Sequence, residues 1–82
     1  MASFSYVYML EAERRVGRHY VGLTDDLSLR LSSHNRGSVP ATRIDRPWRV
    51  KTAVAFADRQ RAATFERYLK TASGRAFAKK HF

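Results

Sequence analysis

Cysteine is absent from the 82 residues, so neither a disulfide nor thiolate chemistry is open to this chain. No apolar run approaches the roughly 20 residues needed to span a bilayer. That argues against a membrane protein. No signal-peptide pattern opens the chain, which makes a cytoplasmic location the expectation. No repeat, low-complexity tract or linker divides it. The length leaves no room for a separate substrate domain, so one domain over residues 1–82 with a modest core is expected. Acidic residues are few as well: seven Asp and Glu stand against 16 Lys and Arg, a formal charge of +9. So large an excess on so small a body favours polyanions, nucleic acid first and acidic lipid surfaces second.

Two β-rich runs lie near the start, Phe4 to Leu10 and His19 to Thr24. A polar stretch from Glu11 to Arg18, containing Gly17, joins them, as in a hairpin with a longer loop. Side chains alternate across a strand, so Tyr6, Tyr8 and Leu10 share one face and Val7 and Met9 the other. Tyr20 and Gly22 share a face of the second strand. If Tyr8 and Tyr20 face the same way, two phenols converge over a patch that Gly22 leaves open. Taken alone, the pattern is better read as amphipathic sheet tyrosines, rings packed and hydroxyls wet, with no catalytic role.

The Asp25-Asp26 pair before Leu27 signals a helix start, and Gly37 a helix end. Leu27 and Leu31 form a buried stripe; Arg30 and His34, also four apart, project one turn apart from the adjoining face. An arginine fork grips phosphate oxygens in two places, and a histidine exchanges protons near neutral pH. Spacing alone fits two solvated polar residues too. The loop from Gly37 to Arg46 carries Pro40 and is flanked or crossed by Arg36, Arg43 and Arg46. These arginines would track a phosphate backbone or be plain loop charges. Trp48 is expected to anchor the loop in the core, with its indole N–H seeking a partner.

Arg49 to Ala57 is the third strand, with Val50, Thr52, Val54 and Phe56 on one face. Apart from Lys51 the other face is small (Ala53, Ala55), which would let a helix pack closely there. Asp58 caps a helix from Arg59 to about Ala72, with Ala62, Phe65, Leu69 and Ala72 as its buried stripe. Glu66 sits on the shoulder of that stripe. A carboxylate there needs a partner, either an ion pair or a metal. Ser73-Gly74 should break this helix, and Arg75 to Phe82 should form a short terminal one docked through Phe77 and Phe82. The fold class is therefore α/β (α+β): a small three-stranded antiparallel sheet flanked by helices, in the order β-β-α-β-α-α.

The ordered set Tyr6-Val7-Tyr8, Tyr20-Val21-Gly22, Arg30, His34 and Glu66 resembles the GIY-YIG nuclease family. The run Arg30 to Gly37 looks like the family's first helix. Thr42 to Trp48 resembles the loop before the third strand in its structure-specific endonuclease branch. Phe65 to Lys70 with Ser73 to Ala78 looks like small single-domain bacterial members. The chain departs from the pattern in two places: Tyr6 stands where the name-giving residue is Gly, and no Asn follows Glu66, the one Asn being Asn35.

The resemblance implies metal-dependent hydrolysis of phosphodiester bonds in DNA, in repair or recombination, on substrates such as branched or nicked DNA. It makes Tyr8, Tyr20, Arg30, His34 and Glu66 the catalytic set. Glu66 would hold one Mg²⁺ (or Mn²⁺), since this ion takes few protein ligands and completes its shell with water and phosphate. A two-metal clamp would want several converging acids. Arg30 would grip the scissile phosphate, and Tyr20 would orient the phosphate or the water. Tyr8 would receive the water's proton within a network completed by His34. Arg36, Arg43, Arg46, Lys70 and Arg75 would hold the DNA backbone. Relatives of this size leave room for a protein partner or a homodimer. Two other classes compete: a non-catalytic nucleic-acid-binding module keeping the fold, and a basic adaptor for a protein partner.

Overall fold

The computed structural model describes residues 3–82. Six elements follow in the expected order: β1 (Ser5–Ala12), β2 (His19–Thr24), α1 (Leu27–Arg36), β3 (Trp48–Phe56), α2 (Arg59–Leu69) and α3 (Ala72–His81). The strands form one antiparallel sheet with β1 in the centre, in the order β2-β1-β3. The hairpin closes where Gly17 adopts a positive φ of 87°, and the Ala12 amide donates to the Arg18 carbonyl. The first two helices start on caps as their sequences require. Asp26 accepts from the Leu29 amide, and Asp58 accepts from the Gln60 and Arg61 amides. Gly37 ends α1 in the left-handed region, with its amide bonded to His34.

Alternation along β1 sends its residues into two cores. Val7 and Met9 meet Ala62, Leu69 and Ala78 of α2 and α3, with Phe65, Phe77 and Phe82 packed around them. Tyr8, Leu10 and Ala12 meet Trp48 on the other face, beneath Leu27 and Leu31 of α1. The sheet thus stands between α1 on one side and α2 with α3 on the other.

Three expectations are corrected. The first concerns β3. Met9 pairs with Thr52 while Leu10 pairs with Val50, a bulge that leaves Lys51 without a partner residue. An extra residue reverses the alternation. Val50 therefore joins the Tyr8 core and Phe56 the Val7 core, instead of sharing one face. The second concerns the small face of β3: Ala53 and Ala55 are exposed, so no helix packs on them. The third concerns Ser73-Gly74. The break falls at Lys70-Thr71, Thr71 caps α3 by accepting from the Gly74 amide, and Ser73-Gly74 lies inside the first turn of α3. Gly74 is buried there because a Cβ would collide with the Tyr68 carbonyl. Its role is close helix–helix approach, a contact with residues six back in the chain. Propensity reads the same glycine as a breaker.

Candidate active site

β1 and β2 bring the two phenols together by register. Tyr8 pairs directly with Gly22, and Tyr20 lies two residues along the same face. The Tyr8 ring folds across Gly22 and occupies the space a side chain would need. Its centroid lies 6.5 Å from that of Tyr20. From the other side α1 lowers His34 onto both rings, with centroids 5.8 Å from Tyr8 and 5.0 Å from Tyr20. His34 is 0 % exposed, which removes the reading in which Arg30 and His34 are simply solvated.

A buried histidine must satisfy both ring nitrogens. Nε2 lies 2.8 Å from the Tyr8 hydroxyl and Nδ1 lies 2.7 Å from Thr42 Oγ1. Placing the Thr42 hydroxyl proton on the Val39 carbonyl assigns the directions. A threonine hydroxyl has one proton, and Thr42 gives it to the Val39 carbonyl at 3.3 Å. Its oxygen therefore accepts from Nδ1–H, which leaves Nε2 unprotonated and accepting from the Tyr8 O–H. The Arg30 Nε–H donates to the same phenol oxygen at 3.4 Å. Tyr8 thus receives a hydrogen bond from a cation and passes its own proton toward a neutral imidazole.

The electrostatics agree. Burial pushes the Tyr8 phenol above its ordinary 10.0, against the pull of Arg30. Burial, helped by the Arg30 charge, holds His34 below its ordinary 6.5. The hydrogen bond to Tyr8 holds Arg30 above its usual value, and no carboxylate pairs with Arg30 among the described residues. Its guanidinium is free to meet an anion.

In the sequence Thr42 is one residue of a loop motif; its role as the partner of His34 Nδ1 depends on a fold-back of eight residues. The loop is secured twice. Trp48 is 3 % exposed and donates from Nε1 to the Thr42 carbonyl at 2.8 Å, as the anchoring expectation requires. Asp45 is buried and accepts from Arg15 at 2.6 Å and from Arg18 at 2.9 Å, tying the loop to the hairpin turn. Those two arginines hold its carboxyl below the ordinary range. Asn35 exchanges two hydrogen bonds with the Trp48 backbone, 3.0 and 2.6 Å, and so locks α1 to the start of β3. Its amide is spent on structure. Thr42→Val keeps the shape and orphans the buried Nδ1–H, a cost of about 1–3 kcal/mol. A thermal melt should show this as a lower midpoint, by about 4–8 °C per kcal/mol for a domain of this size.

Glu66 comes from α2, on the other side of the sheet. Its side chain is 21 % exposed, and one oxygen accepts from Lys70 at 3.1 Å. No hydrogen bond joins it to Tyr8, Tyr20, Arg30 or His34, yet its charge is near enough to contribute, as a minor cause, to the raised Tyr8 pKa. The four residues from β1, β2 and α1 therefore form one cluster, and Glu66 stands beside it. As a donor set for a metal, a single carboxylate is spare. No group of three His, Asp or Glu gathers anywhere among the described residues. Such a set suits one hard cation that keeps most of its shell as water and phosphate oxygen, and does not suit a two-metal clamp.

The five expected backbone-binding cations fall into two groups. Arg36, Arg43 and Arg46 are exposed at the end of α1 and on its following loop, with Arg46 laid over Gly37 and donating to the Arg43 carbonyl at 3.2 Å. Lys70 and Arg75 lie across the molecule, where Arg75 donates to the Lys70 carbonyl at 3.2 Å.

Residues 4–80 match the family model described as the GIY-YIG catalytic domain. The chain belongs to the GIY-YIG family. It is also similar to a UPF0213 protein of Streptococcus pneumoniae serotype 4 (strain ATCC BAA-334 / TIGR4), 37 % identical over 67 residues. That match covers 80 % of this chain and 66 % of the relative, just under two-thirds of its length. No solved structure matches the chain. GIY-YIG is a nuclease family. No helix among the described residues is long and apolar enough to cross a membrane.

Proposed function

We propose that this GIY-YIG domain is a divalent-metal-dependent endonuclease that hydrolyses phosphodiester bonds in DNA, acting in repair or recombination. The observation that carries the reading is the proton path from Tyr8 to His34, with Arg30 on the phenol oxygen and Thr42 behind the imidazole. A pure binding module has no use for a buried phenol wired to a neutral imidazole.

The chemistry follows from the groups themselves. Freeing a phenolate at pH 7 from a group that titrates near 10 costs about 4 kcal/mol. Here the phenol need not be free. As Tyr8 takes a proton from the attacking water, it gives its own to His34 Nε2, so no phenolate accumulates. Arg30 stabilises oxygen charge that develops on the phenol and presents its remaining N–H groups to the scissile phosphate. Tyr20, packed edge-on against His34, fixes the position of the phosphate or of the water. Glu66 is the residue that would hold the cation, Mg²⁺ or Mn²⁺. When bound, that ion supplies Lewis-acid stabilisation of the phosphate and the leaving oxygen.

The reading is tested by incubating the protein with nicked, branched and flapped DNA in Mg²⁺ and in chelator. Cleavage in Mg²⁺ alone is the expected result. Binding without cleavage in any divalent ion would select the second reading, a nucleic-acid-binding module that keeps the nuclease fold. One observation favours that alternative: the Lys70 ammonium on Glu66 neutralises the carboxylate a metal would need.

The pKa directions set a pH profile. Because His34 titrates below 6.5, its neutral form persists into mildly acid solution. The acid limb of kcat/KM should therefore centre below 6.5, and activity should stay level up to the alkaline range in which Tyr8 ionises, above 10.0. Stability follows the same sign. The unfolded chain takes up a proton on this histidine near 6.5 and the folded chain does not, so stability is eroded as pH falls from that value. An acid limb centred above 6.5 would contradict the assignment.

A further inference from the structure

We propose that a basic groove beside the β2 edge binds the unpaired strand of a branched or flapped DNA substrate, next to the bond being cut. The proposal rests on the nuclease reading above and gives it a substrate class. The groove has a volume of about 890 Å³ between the hairpin, the end of α2 and one side of α3. Its floor is apolar, made by Met9, Val21, Leu69 and Ala78. Its rim is cationic: Arg18, Lys51, Lys70, Arg75 and Lys79. Arg18 is paired with Asp45 and Lys70 with Glu66. Lys51, Arg75 and Lys79 have no carboxylate partner among the described residues.

Three features choose the occupant. An apolar floor under a cationic rim wants flat apolar surface and anionic charge from one ligand. An unpaired strand offers both, as base faces and phosphates. A duplex hides its base faces in the stack and would leave the floor uncovered. The volume is that of an ordinary ligand pocket, room for a few nucleotides. The groove lies on the other face of the sheet from the phenol cluster and meets it at Tyr20 on the β2 edge. Tyr20 lines it while packing on Tyr8 and His34, and Lys70 lines it while holding Glu66. Since β2 is an edge of the sheet, a strand leaving the phenols turns around that edge without crossing another strand. The bulge in β3 adds to the design: Lys51, the residue without a strand partner there, is one of the three cations with no carboxylate on them, its ammonium lying 3.4 Å from His19 Nε2.

The test measures binding in chelator, where no cleavage occurs, using fluorescent oligothymidylate of about eight nucleotides, within the usual site size. Lys51→Gln/Lys79→Gln should weaken strand binding at least tenfold at moderate salt. It should also flatten the plot of log affinity against log salt by about 1.4, since each lost contact with a single strand removes about 0.7. An abasic oligonucleotide of the same length should bind the unaltered protein at least tenfold more weakly than oligothymidylate. In Mg²⁺, the double variant should lose at least tenfold more activity on flapped than on nicked duplex. Equal losses for strand and hairpin duplex, or equal affinity for abasic and thymidylate strands, would overturn the proposal. So would competition by polyglutamate as effective as by oligothymidylate, which would assign the groove to an acidic protein segment. Failure of these arms with Glu66-dependent cleavage intact removes the groove alone. Success in chelator without any cleavage in Mg²⁺ keeps the groove and removes the nuclease reading.

Discussion

Glu66→Ala should lower DNA cleavage by at least about a thousand-fold while leaving the fold intact and DNA binding no weaker. The large effect follows from its position as the one carboxylate among the described residues whose charge reaches Tyr8. Without it nothing on the protein holds a cation there, and charge stabilisation of several kcal/mol is lost at the phosphate. The small structural effect follows from the helix. Glu66 lies in the middle of α2, which is started by Asp58 and held by Ala62 and Leu69 in the core. The variant loses only the pair with Lys70, one turn along, worth about 0.3–0.5 kcal/mol, and gains a better helix former. Binding moves the other way from catalysis, because removing a negative charge and freeing Lys70 both favour phosphate. Cleavage assays, thermal melts and anisotropy on the same preparation check all three. Residual cleavage within tenfold of wild type would remove Glu66 from the site.

Gly22→Ala is expected to cost about a hundred-fold or more in cleavage, although Gly22 contacts no substrate in the proposed mechanism. Its φ is not in the left-handed region, so alanine suits the backbone. What alanine meets is Tyr8: the added Cβ would overlap the hydroxyl and the ring carbon that bears it. The ring is hemmed in by His34 and Tyr20, so it must tilt, and the 2.8 Å bond to Nε2 is the first contact to go. Overpacking of this kind costs about 1–3 kcal/mol of stability, and loss of an aligned proton acceptor costs about 10²–10⁴ in rate. Tyr8→Phe gives the control. If both substitutions act through one hydroxyl, the double variant should be no slower than the slower single variant. A Gly22→Ala enzyme within threefold of wild type would show that the Tyr8 proton path is idle.

Much of this architecture was legible locally. Strand alternation in Phe4 to Leu10 and His19 to Thr24, the caps Asp26 and Asp58, and Gly37 after α1 each depend on neighbours a few residues away. They stand where expected, to within a residue or two. The misread features share another cause. The β3 bulge is set by how two strands separated by some forty residues fit around Lys51. Gly74 is explained by the Tyr68 carbonyl pressing on it and contradicts its own helix-breaking tendency. Thr42 and Asp45 look like ordinary loop polar residues until His34, Arg15 and Arg18 are brought against them.

The sequence by itself determined the order of elements, the excess of positive charge and the family, because periodicity, capping and an ordered set of motif residues are all one-dimensional. Only the tertiary structure decided which proton sits on which atom. The direction of the hydrogen bond between Tyr8 and His34 is set by a threonine on a distant loop, and that threonine's own proton is committed to a backbone carbonyl. Tautomers follow from counting donors and acceptors in three dimensions, and the identity of an isolated residue does not carry that count.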